Sequence, residues 1–106
     1  MPANLTRGGE LGTLSASGVV DALGRAGLPV PRALDTTARE CVTVGCSQAV
    51  VTDTVRIMSF PDTARAQSYA AAHDLFQTKT IVVDFAPLVP ALQRDRYRRE
   101  IHVLVR

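Results

Sequence analysis

The residues with reactive side chains are few, and their spacing limits what they can do. Cys41 and Cys46 are the only two cysteines, and the four residues between them include Gly45. If the chain turns back within that interval, the spacing permits a short disulfide. It is not the C-x-x-C of a thioredoxin-type site, where a second thiol resolves a mixed disulfide near a helix start. Three readings stay open: two reduced, half-buried cysteines; a structural disulfide; or a thiol-redox or redox-sensing pair. The redox state of the compartment decides among them.

A metal centre needs more. Tetrahedral zinc takes four N or S ligands, and C-x4-C supplies half of them. His73 and His102 are far apart and lack H-x3–5-H spacing, so no metal site and no cofactor is assigned. His73 is expected on a core-facing helix edge, as a satisfied buried histidine. Ser15, Ser17, Ser47, Ser59 and Ser68 have no G-x-S-x-G context. Asp53 and Asp84 can approach across a sheet, but turn and strand-end aspartates are usually solvated. Two histidines without a motif make no dyad, so no catalytic residue is assigned. Gly8-Gly9-Glu10-Leu11-Gly12 resembles a phosphate loop only superficially. Such loops follow a strand and deliver N–H groups at a helix start, and none precedes it here.

The charge cluster is C-terminal: Arg94, Arg96, Arg98, Arg99 and Arg106. Of these, Arg94, Arg98, Arg99 and Arg106 are the candidate anion-binding residues, for phosphates or an acidic membrane surface. Asp95 and Glu100 partly neutralise the cluster through i, i+4 pairs, Asp95–Arg99 and Arg96–Glu100. No aromatic residue is interleaved to stack on bases.

These residues must be carried by a small number of elements. Met1 to Leu14 holds Gly8, Gly9 and Gly12 with little apolar periodicity and reads as a mobile arm, leaving one domain over residues 15–106. Ser15 or Ser17 caps a first helix in which Val19, Val20 and Leu23 share a face, and Gly27 ends it. Pro29 and Pro31 force extended backbone, and Leu34 to Thr37 continues that loop. From Cys41 to Phe60 the composition is β-branched, which predicts two strands with a hairpin around Asp53. Pro61-Asp62-Thr63 opens a helix that places Ala66, Tyr69, Ala70 and His73 on one face. Ile81-Val82-Val83 predicts a strand covered on both sides. The last segment alternates well enough for an edge strand over residues 101–105. Its wheel, which groups Tyr97, Ile101, Leu104 and Val105, decides for a helix. The expected architecture is α+β, a small three-stranded sheet in the order α-β-β-α-β-α. A right-handed crossover follows if the second and third strands are parallel.

Composition supports one ordinary core. Apolar residues make up 46% and charged residues 21% of the 106, while aromatics contribute only 5% with no Trp. The 12 basic residues exceed the 10 acidic ones by a net +2, too little to imply nucleic acid without clustering. Arginine dominates because Lys79 is the single lysine. No stretch reaches the length of a membrane span, and residues 1–14 lack the apolar centre of a leader. The chain as written reads as cytoplasmic, or as exported if a leader segment was removed.

Taken together, Ala26-Gly27-Leu28-Pro29-Val30-Pro31, Asp35-Thr36-Thr37, Cys41, Gly45-Cys46, Thr52-Asp53-Thr54-Val55, Ser59-Phe60-Pro61 and Tyr69-Ala70 resemble small uncharacterised actinobacterial proteins. These pair an AGLPV helix end with two nearby cysteines and a Thr/Asp-rich strand entry. The resemblance spans about residues 18 to 105 and implies fold and lineage rather than activity. Some of those proteins look exported or lipid-anchored, which for this chain implies a Cys41–Cys46 disulfide.

The leading functional expectation is a non-catalytic accessory or protein-binding module. Its expected interaction surface is an uncovered sheet face or edge including Val50, Val51, Val55 and Ile57. A protein partner is expected, and completion of the small sheet by a homodimer is plausible. The alternatives are a binder of nucleic acid or an anionic surface through the arginines, and a thiol-redox protein using Cys41 and Cys46. Charge balance disfavours the first and cysteine spacing the second.

Overall fold

The computed structural model describes residues 14–106. Of the arm expected over residues 1–14, only Leu14 is therefore described, and it packs against the core; the glycine-rich run lies outside the described residues. Helix α1 (Ala16–Arg25) begins where Ser15 Oγ accepts the Gly18 N–H at 3.1 Å. Its Val19, Val20 and Leu23 are buried. The chain leaves through Gly27 at φ 87°, a left-handed conformation that glycine adopts without strain. The following extended stretch is anchored through the Pro29 carbonyl, which accepts from Thr54 Oγ1 at 2.9 Å and from the Tyr97 hydroxyl.

Next come β1 (Leu34–Asp35), α2 (Thr37–Val44), β2 (Gln48–Val51) and β3 (Val55–Ser59). They are followed by α3 (Thr63–His73), β4 (Phe76–Thr78), β5 (Ile81–Phe85) and α4 (Ala91–Val105). The strands form one five-stranded sheet ordered β1-β2-β3-β5-β4, and every neighbouring pair is antiparallel.

This overturns the three-stranded α-β-β-α-β-α expectation, for three local reasons. Leu34–Asp35 is not loop: it pairs with Val51 and Val50, but two residues are too few to show an alternating pattern. Cys41–Val44 is helix despite its valines. Asp35 Oδ1 receives the Thr37 N–H at 2.9 Å at one end, and Gly45 at φ 88° closes the other with its N–H on the Cys41 carbonyl. Those two ends, and the ties described below, override the β preference of Val42 and Val44. Finally, Phe76–Thr78 forms an edge strand that hairpins onto β5 through Lys79, at φ 51°. Because β3 and β5 run antiparallel, the parallel crossover rule has no place here.

Other expectations hold. The β2–β3 hairpin turns at Asp53, held by the Thr52 hydroxyl, which accepts the Thr54 and Val55 N–H groups at 3.1 and 3.0 Å. The C-terminal segment is helical, with Tyr97, Ile101 and Val105 buried. Ile81-Val82-Val83 is fully buried, as a strand covered on both sides must be.

Strand alternation divides the core into two layers. On one face Val50, Val55, Ile57, Ile81 and Val83 meet α1 and α4. On the other, Ala49, Met58 and Val82 meet Phe60, with Ala66 and Ala70 of α3, and Cys41, Val44 and Cys46 pack at the margin.

Candidate functional site

Helix α2 buries none of its residues completely, so packing alone does not hold it. Three other ties do. Cys41, in its last turns, is joined by a disulfide to Cys46, just ahead of β2, with Cα atoms 4.6 Å apart. At its start, the Ala49 N–H donates to Thr37 Oγ1 at 3.1 Å, and the Thr36 N–H reaches the Ala49 carbonyl at 2.9 Å. Between them, Glu40 pairs with Arg56 of β3 at 3.2 Å. Of the three readings left open for the cysteines, the pair of reduced thiols is not the one present: the two are bonded in a disulfide, and no free cysteine occurs among the described residues. Its loop is short, so cross-linking removes a modest amount of unfolded-state freedom, about 2 kcal/mol. Its local effect is to fix Val44 and Gly45 in space.

Those two residues form one wall of an open groove of about 510 Å³ whose other wall is α3. Asp62 opens α3, its Oδ1 accepting the Arg65 N–H at 2.8 Å, and Asp74 ends it at φ 56°. Aromatic rings line the groove: Phe60 and Tyr69 lie 5.6 Å apart, and Tyr69 stacks on His73 at 4.1 Å. The His73 Nδ1–H donates to the Tyr69 carbonyl at 2.9 Å, which fixes the ring over its neighbour. His73 is exposed, so the buried histidine expected from the helix pattern is corrected. Its ring caps an aromatic stack at the surface. Small Ala64 and Ala72 keep the groove open, Ser68 offers a hydroxyl, and Arg65 contributes a cation beside Asp62 at 3.6 Å. Among the described residues no acidic side chain lines it. Such a surface can hold apolar and aromatic groups and can meet an acid at Arg65.

The residues expected to form an interaction surface do not form one. Val50, Val55 and Ile57 are core residues covered by α1 and α4, at most 5% exposed. A sheet that carries helices on both faces leaves no bare valine face. Only Val51 is half-exposed, beside Arg56 and Asp84 at the end of the second face that α2 and α3 leave uncovered.

The arginines divide in two. Arg94 bonds the carbonyls of Val89, Ala86 and Pro87 at 2.8, 3.3 and 3.2 Å and lies over the Phe85 ring. Arg98 pairs with Asp95 at 2.6 Å and rests on Phe76 and Phe85. Both act as fasteners, because β4 and β5 present Phe76 and Phe85 to α4, so each expected anion contact is already engaged within the fold. The expected Asp95–Arg99 and Arg96–Glu100 pairs are absent among the described residues; Asp95 takes Arg98 at i, i+3 instead. Arg99 and Arg106 are exposed, and Arg96 joins them.

Among the described residues no three His, Cys, Asp or Glu side chains come together as a metal site. Asp53 pairs with Arg32 in the hairpin turn. Thr78 Oγ1 lies 3.5 Å from His102 Nδ1 on the surface, a long contact with no third group orienting the ring. Sequence reasoning placed Tyr69 and His73 on one face but missed the groove, because its opposite wall is the helix it read as a strand. The available signal was Asp35-Thr36 ahead of the segment and Gly45 behind it. No helix among the described residues is long and apolar enough to cross a membrane. No family model, curated protein or solved structure matches the chain.

Proposed function

We propose that this protein is a non-catalytic binding module whose groove between α2 and α3 receives a partner protein's peptide segment carrying an apolar or aromatic side chain next to an acid. The observation that carries this reading is the aromatic lining of the groove, Phe60, Tyr69 and His73, with Arg65, held beside Asp62, at its edge. The Cys41–Cys46 bond supports it further, because it pins the wall opposite α3. Disulfides persist in oxidising compartments, so the same reading assigns the protein to an exported or otherwise oxidising setting.

A random peptide library displayed on phage and panned against the oxidised full chain tests the reading. Wild type is expected to enrich peptides with an acid beside an apolar or aromatic residue. Ala72→Arg, at an exposed position that obstructs the groove, is expected to weaken those peptides at least about tenfold without lowering the melting temperature. Absence of enrichment, or equal binding by Ala72→Arg, overturns the proposal.

A further inference from the structure

The outer side of α4 faces away from the sheet, on the opposite side of the molecule from the groove. Leu92, Arg96, Arg99, Val103 and Arg106 follow one another there at steps of four, three, four and three residues, so they form one continuous stripe along the helix. Leu88 stands just ahead of it, on the loop between Pro87 and Pro90. Leu88 is 95% exposed, Leu92 81% and Val103 51%, the largest apolar exposures in this part of the chain. Arg96, Arg99 and Arg106 form no ion pair among the described residues, because Asp95 is bound to Arg98. Glu100 is half-buried in a small depression that Arg96 and Arg99 also line.

We infer that this stripe docks the protein on an anionic lipid bilayer, with Leu88 and Leu92 entering the headgroup boundary and Arg96, Arg99 and Arg106 meeting lipid phosphates. The mixture decides the occupant. Arginines alone suit any polyanion, but nucleic acid gives two protruding leucines nothing to bury them, and the stripe has no aromatic residue to stack on a base. A bilayer interface takes both: the leucines enter the acyl boundary while the guanidinium groups stay at the phosphates. Arg94 bonds the carbonyls of Ala86, Pro87 and Val89, which ties the loop that carries Leu88 to the helix that carries Leu92.

Sedimentation of the oxidised full chain with vesicles is the test. Binding to phosphatidylglycerol-containing vesicles and not to pure phosphatidylcholine is expected, weakening as salt rises. Arg96→Gln and Arg99→Gln should each lower the partition coefficient about fivefold, and Leu88→Asn and Leu92→Asn about tenfold each. Duplex DNA and poly-glutamate serve as soluble polyanion controls, and their binding, if any, should ignore the leucine substitutions. All four positions are exposed or half-exposed and outside the core, so circular dichroism melts should match wild type. Ala72→Arg, which obstructs the groove, should bind vesicles normally, which separates this inference from the peptide-binding proposal. Equal binding to neutral vesicles, no binding to anionic vesicles at low salt, or tighter binding to DNA or poly-glutamate unaffected by Leu88→Asn overturns it.

Discussion

The two faces of the sheet are held by different physics. On the α1 and α4 side, branched side chains from every long strand meet Val19, Leu23, Tyr97 and Ile101, all fully buried. On the α2 and α3 side the helices contribute Ala66, Ala70 and the half-buried Cys41, Val44 and Tyr69. Small residues let α3 come close to the sheet but leave it little area to remove from water. That layer is therefore secured by a covalent bond, an ion pair and hydrogen bonds to Ala49. The first face supplies stability through burial, and the second combines modest burial with fixed geometry, which is what an open groove needs.

Adjacent residues in β3 offer the sharpest way to break the comparison. Ile57 and Met58 are both fully buried but point to opposite layers. Ile57→Ala is expected to cost about 4 kcal/mol in urea denaturation of the oxidised protein, and Met58→Ala about 2–3 kcal/mol, since the thinner layer collapses more readily around a gap. Equal losses would show the two layers to be equivalent. Next in size, reducing Cys41–Cys46 should cost about 2 kcal/mol. Hydrogen exchange should then speed up across α2 while α1 and α4 keep their protection; uniform loosening would place the disulfide's effect in the whole fold. A smaller effect is expected from Asp62→Ala, about 1 kcal/mol, through loss of the α3 cap.

The smallest effect concerns acid. The Thr37 side chain first, and then the Thr37 N–H, hold the Asp35 carboxyl below the ordinary 3.8, with a lesser contribution from Gln48. A depressed carboxylate stabilises the fold above its unfolded value, and the contribution disappears as pH falls through the lower folded value. Asp35→Asn should therefore narrow the stability gap to wild type as pH is lowered below 3.8. A gap independent of pH would show that the carboxylate charge does not strengthen the Asp35–Thr37 contact ahead of α2.

Much of the first layer was legible in the sequence. Ser15, the Val19–Val20–Leu23 spacing and Gly27 defined α1, and the Tyr97–Ile101–Val105 spacing was enough to choose helix over edge strand for α4. Pro61-Asp62-Thr63 gave α3 its start. What the sequence hid was short or held by distant contacts. Leu34–Asp35 and Phe76–Thr78 are too brief for an alternating pattern. Val42 and Val44 are β formers held helical by groups that meet only after folding. Of the site, the cysteines were visible as a pair with several meanings, while the groove depended on α2 and so was not. Arg94 and Arg98 carry the same charge as Arg99, and only the folded positions of Phe76, Phe85, Asp95 and the loop carbonyls separate the fasteners from the exposed cations.

The sheet ends on each side in a strand of two or three residues, β1 and β4. An invading strand would find room for only a couple of main-chain hydrogen bonds there before the template ran out. The described strands thus offer two copies little template for pairing edge to edge. Among the described residues, fibril growth seeded at these edges should be slow.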